Sequence, residues 1–199
     1  MKITLLSVSF LAAATAFGQI VPFTFVGAVD DLSPQNEVPS GTLSQAQADS
    51  SPASGFFTTL ELDQTTNTFT FDFAFSDLSG GLNFASDSGI HFHLAGGPDF
   101  QATNGPVIFN LNNFSGTDNV LNTNTQIADG ATGGTVSGSI INLTAAQEQS
   151  FLNGEYYLNI HSQTFTGGEL RANVAPVPEP AFASALLGLG ALFLLRRRA

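Results

Sequence analysis

Between positions 68 and 76 the chain alternates strictly between apolar residues and small or polar ones. Phenylalanine fills every second position there, at Phe69, Phe71, Phe73 and Phe75. Successive side chains of a β-strand point to opposite faces of the sheet, so a period of two is typical of a strand with one buried face. The pattern predicts a strand whose phenylalanines anchor an apolar core, each contributing about 2 kcal/mol or more on burial.

A second alternating run, residues 56–63, is separated from the first by the polar residues 64–67. Two such runs across a short polar turn predict a β-hairpin. Shorter strand-like runs recur along the rest of the chain, at 23–26, 90–94, 107–111, 135–143, 156–161 and 167–174. The small and polar residues of 40–55 and 112–134 predict loops.

One segment carries the signals of a helix. Thr144 and Gln147 form a capping-box pattern, and Gly154 stands where the residue after a helix C-terminus is expected. These signals predict one short helix at about 145–152. Short strands with turn residues between them and a single helix predict an all-β fold, an antiparallel sandwich or barrel.

All three histidines of the chain fall on polar positions of predicted strands. Alternation within Ile90–Leu94 turns the apolar residues to the core and places His91 and His93 together on the opposite face. The same reasoning places His161 on the outer face of the strand at 156–161. Neutral imidazole is a good ligand for copper and zinc, and three such ligands leave one coordination position open. The pattern predicts a candidate metal site for Cu or Zn.

A purely structural role explains the same histidines. The imidazoles could hydrogen-bond the backbone of a loop such as 96–106 and hold it over the sheet. In that interpretation Asn159, Glu169 and Arg171 join a supporting polar network, with Glu169 or Glu155 as the ion-pair partner of Arg171. The residue pattern alone leaves both interpretations open, and it indicates no catalytic group.

Charge limits the class of partner. Between positions 19 and 176 Arg171 is the only base, and it faces 15 acidic residues (the 16 of the chain less Glu179), a net charge of −14. Such a surface repels nucleic acid and anionic lipid and attracts cations, so nucleic-acid binding is excluded. The chain has no cysteine, which excludes disulfides and thiolate metal ligands.

Both ends of the chain differ from its centre. Residues 1–18 combine Lys2 with an apolar run and small residues, the pattern of a secretory signal peptide that signal peptidase removes. The end segment 176–199 contains a Pro-Glu-Pro element, an apolar run at 181–195 and three arginines. Fifteen helical residues span about 22 Å, less than the ~30 Å hydrocarbon core, which predicts transient membrane contact. The predicted domain lies between the two ends, at 19–175.

The order Val177-Pro178-Glu179-Pro180, apolar run, Arg196-Arg197-Arg198 resembles the PEP-CTERM sorting signal of Gram-negative bacteria. The resemblance implies an inner-membrane intermediate, recognition by an exosortase, and a final place outside the cell or at its surface.

The centre of the chain resembles the CHRD domain family over roughly residues 23–174. The matching segments are Gln35-Asn36-Glu37-Val38-Pro39, Ile90-His91-Phe92-His93, Gly105-Pro106-Val107, 143–162 and Gly167-Gly168-Glu169-Leu170-Arg171. The resemblance implies a fold more than an activity, and that fold is an antiparallel Greek-key sandwich or barrel, superoxide dismutase-like or immunoglobulin-like. Our hypothesis is an exported surface or matrix module of the CHRD type that binds without catalysis, with a cation, an exopolysaccharide or another surface protein as partner.

A more distant likeness, to copper/zinc superoxide dismutase, aligns His91, His93 and His161 with three copper ligands. It implies the competing hypothesis, a secreted copper or zinc metalloprotein or enzyme. The chain has no fourth histidine to bridge two metals, so this likeness supports a site hypothesis only.

Overall fold

The computed structural model describes residues 19–85, 89–95, 101–112, 119–122 and 126–178. The predicted signal peptide and the apolar run at 181–195 lie outside the described residues. So do parts of the predicted loops at 96–106 and 112–134. Within the described ranges, no helix is long and apolar enough to cross a membrane.

In these ranges the chain forms nine strands, two α-helices and one 3-10 helix. The strands are β1 (Ile20–Val26), β2 (Ser54–Asp63), β3 (Thr68–Ser76), β4 (Ile90–Leu94), β5 (Val107–Asn110), β6 (Val120–Asn122), β7 (Gly134–Ile140), β8 (Tyr156–Ile160) and β9 (Leu170–Pro176). The helices are α1 (Gln45–Ser50) and α2 (Ala145–Leu152), and the 3-10 helix is Pro34–Glu37.

The strands pair antiparallel in the order β5-β4-β8-β9-β1-β2-β3-β7-β6. Strand β1 belongs to two sheets, because its first residues pair with β2 and its last ones with β9. Sheet A therefore contains β2, β3, β7 and β6, and sheet B contains β5, β4, β8 and β9. After β1 the chain crosses between the sheets three times, after β3, after β5 and after β7, the last time through α2. The predicted antiparallel all-β class is confirmed.

The apolar faces of both sheets meet in one core. Phe69, Phe71, Phe73 and Phe75 are all buried, as their alternation predicts. The predicted helix is α2, with the capping box of Thr144 and Gln147 in place and Gly154 at φ +72. Its Phe151 stacks on Phe69 with ring centroids 4.1 Å apart and closes one end of the core.

The structure differs from the sequence prediction in two segments. Residues 45–50 form α1 where a loop is predicted, since Ser44 and Gln47 make a second capping box. In β2 the register shifts between Phe57 and Thr59, which leaves Phe56 57% exposed although the alternation groups it with buried leucines. A β-bulge at this point adds one residue and reverses the phase of the pattern.

Candidate functional site

The outer face of sheet B carries polar side chains that are almost completely covered. Strand alternation puts them there, and the segments 27–53, 101–106 and 162–168 lie over them. We call this group the polar layer; it consists of His91, His93, Tyr157, Asn159, His161, Glu169, Arg171 and Asn173. Apart from His93, which is partly covered, all of these residues are buried. Buried polar groups need partners, so each contact in the layer bears on its role.

The three histidines that the sequence singles out come together in this layer. One ring nitrogen from each of His91, His93 and His161 lies within 4.8 Å of the others. The Nε2 atoms of His91 and His161 are 2.9 Å apart. Strands β4 and β8 are neighbours in register, which is why residues so distant in sequence meet here.

Backbone carbonyls fix the tautomers of two of these rings. The Nδ1 of His161 lies 2.8 Å from the carbonyl oxygen of Thr166, and the Nδ1 of His93 lies 2.7 Å from that of Gly105. A carbonyl oxygen only accepts, so both Nδ1 atoms donate. In a neutral ring the Nε2 atom then carries the lone pair. Nε2 of His161 therefore accepts the 2.9 Å hydrogen bond that Nε2 of His91 donates. His93 and His161 hold loop backbone through Nδ1 and would ligate an ion through Nε2, so the two interpretations of the sequence are compatible.

Arg171 joins the polar layer to the segments that cover it. Its guanidinium lies 4.0 Å from a carboxylate oxygen of Glu37 and donates to the carbonyl oxygen of Thr103 at 2.7 Å and to Oδ1 of Asn104 at 2.8 Å. Its Cζ lies 3.7 Å from the ring centroid of Tyr157. The ion pair thus forms with Glu37, and the prediction of Glu169 or Glu155 as partner is wrong.

Glu169 has other partners on the far side of the layer. Its carboxylate accepts hydrogen bonds from the backbone N and Oγ of Ser79, at 2.9 and 2.6 Å, and from Oγ of Ser51 at 2.6 Å. It therefore anchors two covering segments to sheet B without touching the arginine. Asn159 is buried between Glu37 and the histidines, next to the backbone of Gly168.

Glu37 is the member of the site that pattern analysis of single strands misses. It is fully buried at the end of the 3-10 helix, where Oγ of Ser40 donates to Oε2 at 3.1 Å. Burial raises the pKa of Glu37, and the positive charge of Arg171 opposes that rise. The neighbouring Asn36 fixes the helix to sheet B by donating to the carbonyl oxygen of Arg171 at 2.8 Å.

Comparison with protein families finds one domain that covers all of these residues. The CHRD domain model matches residues 30–174, which include the whole polar layer and Glu37. The chain belongs to the CHRD domain family. Comparisons with curated proteins and with solved structures give no match.

The signal for Glu37 was present in the sequence. It lies in the Glu-Val-Pro element by which the chain resembles CHRD domains. A buried acid in such an element predicts a partner, and the single base of the centre of the chain is Arg171. Thr103 carries no such signal, because it accepts through its main-chain carbonyl oxygen, which has no residue preference, and Asn104 lies in a segment without a regular pattern.

In this CHRD domain the histidine geometry is close to that of a metal site. A tetrahedral ion with bonds of about 2.0–2.1 Å keeps its nitrogen ligands ~3.3 Å apart. The 2.9 Å between Nε2 of His91 and Nε2 of His161 is below that value, and the 4.8 Å limit on the separations of the three ring nitrogens is above it. The second hydrogen bonds of His93 and His161 are of the kind that orient imidazole ligands in metal centres.

Proposed function

We propose that the protein is an exported CHRD module that binds one copper or zinc ion through His91, His93 and His161. The supporting observation is the convergence of three ring nitrogens within 4.8 Å beneath a cover of loops. Imidazole nitrogen is a ligand type suited to both ions.

Two further features support a cation in this place. The Nδ1 hydrogen bonds of His93 and His161 make Nε2 the ligating atom of both rings, and an ion would replace the hydrogen bond between Nε2 of His91 and Nε2 of His161. The net charge of −14 over residues 19–176 raises the local concentration of cations. Three protein ligands leave one position for water or for a group from a partner.

The place of action follows from the ends of the chain. The signal-peptide pattern at 1–18 and the PEP-CTERM pattern at 176–199 support export and sorting by an exosortase to the surface of a Gram-negative cell. An exopolysaccharide or another surface protein would be the partner there. The module would act by binding, with the metal as a structural or adhesive element.

Metal binding is tested on protein purified without a histidine tag. We expect one Cu(II) or Zn(II) per chain by elemental analysis and titration calorimetry. His91→Ala, His93→Ala or His161→Ala should each lower the affinity more than about 100-fold, which exceeds the effect of losing a residue that only orients a ligand.

A matched control removes acidic charge without touching the site. Glu61 is exposed on sheet A, and Glu61→Gln should bind metal as the wild type does. Binding that depends equally on Glu61 and on the histidines would reflect diffuse attraction to the acidic surface. That result, or the absence of stoichiometric metal, would contradict the proposal.

A further inference from the structure

The three histidines are not held by equivalent elements. His91 in β4 and His161, the residue directly after β8, lie diagonally across this pair of strands, and His161 bonds Thr166 in the turn that follows it. The position of His93 depends on a different part of the chain. The register of β4 with β5 shifts between Phe92 and His93. The Nδ1 of His93 donates to the carbonyl oxygen of Gly105 in the irregular segment 101–106.

The segment 101–106 lies tightly against β4 at Gly105. A Cβ at this position would collide with the carbonyl oxygen of Leu94, so glycine is required for the close approach. The carbonyl oxygen of Pro106 also accepts from the backbone N of Leu94 at 3.0 Å. Any displacement of this segment would move the acceptor that orients His93.

Contacts from Arg171 and Tyr157 hold three consecutive residues of that segment. Arg171 donates to Thr103 and Asn104, and the hydroxyl oxygen of Tyr157 accepts from the backbone N of Gly105 at 3.2 Å. The Tyr157 ring contacts both Arg171 and His93. It lies under the guanidinium of Arg171 and stacks on the imidazole of His93 with an interplanar angle of 1°.

We infer that Arg171 is a positioning residue, which fixes the ring of His93 through the segment 101–106 and so sets the third ligand of the histidine site. The planar guanidinium reaches two acceptors and lies flat on an aromatic ring. A lysine ammonium keeps the charge but has neither geometry. Glu37 aligns the guanidinium from the other side. This inference rests on the proposed metal binding and deepens it.

The first test is a mutant cycle in metal affinity. Arg171→Lys should weaken Cu(II) binding by about 10–100-fold, the usual effect of losing a group that orients a ligand. In the His93→Ala background the same substitution should have no further effect, because the residue it positions is gone. A loss of equal size in both backgrounds would overturn the inference.

Spectroscopy provides a readout that a general loss of stability would not change. Electron paramagnetic resonance of the Cu(II) protein should show coupling to three nitrogens in the wild type and to two in Arg171→Lys. Glu169→Gln is the matched control, because Glu169 is buried in the same layer but bonds Ser51 and Ser79. It should lower stability and leave the nitrogen coupling unchanged.

A milder substitution keeps the test valid if Arg171→Lys does not fold. The Asn104 side chain is exposed, and Asn104→Ala removes an acceptor of the guanidinium. It should weaken Cu(II) binding several-fold in the wild-type background and not at all with His93→Ala. An unchanged affinity in a folded Asn104→Ala protein would count against the inference.

A metal-free measurement separates failure of the inference from failure of the proposed function. In the apo protein the Nδ1 proton of His93 should exchange slowly by NMR, because it is bonded to Gly105. Arg171→Lys should accelerate this exchange and leave that of His161 unchanged. If the wild type binds no metal but this difference appears, the metal site is wrong and the positioning role stands. If metal binds and the difference is absent, the positioning role is wrong.

Discussion

Glu37 and Arg171 show what residue patterns can and cannot reveal about this site. Alternation alone places His91, His93 and His161 on the outer faces of their strands, and the structure brings them together. It cannot reveal that the acid paired with Arg171 lies in a 3-10 helix far away in sequence. Nor can it predict burial of the layer, since the covering segments have no regular period. Local pattern determines which way a side chain points, and tertiary packing determines what it meets.

The pKa shift of Glu37 predicts a definite pH dependence. Burial raises this pKa above its ordinary value of 4.5, and Arg171 offsets the rise in part. The folded state therefore binds the proton more tightly than the unfolded state. The stabilisation is complete below the unfolded pKa and is lost as the pH rises through the folded pKa. Relative to Glu37→Gln, the wild type should lose unfolding free energy as the pH rises above 4.5 and through the raised pKa of Glu37.

Urea unfolding of the wild type and of Glu37→Gln across this pH range measures the difference between their unfolding free energies. The other carboxyl groups are the same in both proteins, so their contributions cancel in this difference. A wild type that gains stability relative to Glu37→Gln with rising pH would show that the ion pair outweighs the burial of the carboxylate.

At the scale of secondary structure, period-two patterns predict strands well where the strand is regular. Strand β3 has no bulge of its own, since its successive residues pair with β2 on one side and with β7 on the other. Its four phenylalanines are buried as predicted. Strand β2 contains a bulge, and there the pattern predicts the wrong side for Phe56. The bulge depends on pairing with β3, so β2 alone contains no signal for it. Helix α1 is a different case, because its capping box was visible in the sequence.

The bulge predicts that one residue of β2 can be removed without changing which side chains are buried. The pairing passes from Phe57 to Thr59, so Thr58 is the extra residue. Deleting Thr58 keeps Phe57, Leu60 and Leu62 on the inner face. We expect cooperative unfolding with a loss of about 1–2 kcal/mol, within the usual range for a single change.

Deletion of Asp72 from β3 is the matched control. It shifts the register of an uninterrupted strand by one residue and turns two of the four phenylalanines to the outer face. We expect no cooperative thermal transition by circular dichroism. Equal damage from the two deletions would show that the bulge at Thr58 is required for folding.

At the scale of the whole molecule, the residues that form the core and the residues that carry the net charge are different. The core is built from phenylalanine-rich strands and α2, and it requires no charged group. In the part of the chain that the structure describes, the acidic residues other than Glu37 and Glu169 are exposed or partly exposed, and Arg171 is the only lysine or arginine within residues 19–176. The ion pair of Arg171 with Glu37 is fully buried, so added salt screens it little. Repulsion among exposed carboxylates is therefore the main electrostatic interaction that salt can change.

This charge distribution predicts that salt stabilises the fold. Raising NaCl from about 0.01 M to about 1 M shortens the Debye length from ~30 Å to ~3 Å and screens the repulsion. We expect a gain of about 1 kcal/mol, which is a rise in Tm of ~2–4 °C for a domain of this size. The double variant Asp30→Asn, Glu61→Gln removes two exposed charges and should melt higher at low salt and respond less to added NaCl. A general effect of salt on apolar burial would raise the Tm of both proteins equally. A Tm that falls with added salt would mean that salt-sensitive attraction outweighs repulsion. Either result would contradict this account of the acidic surface.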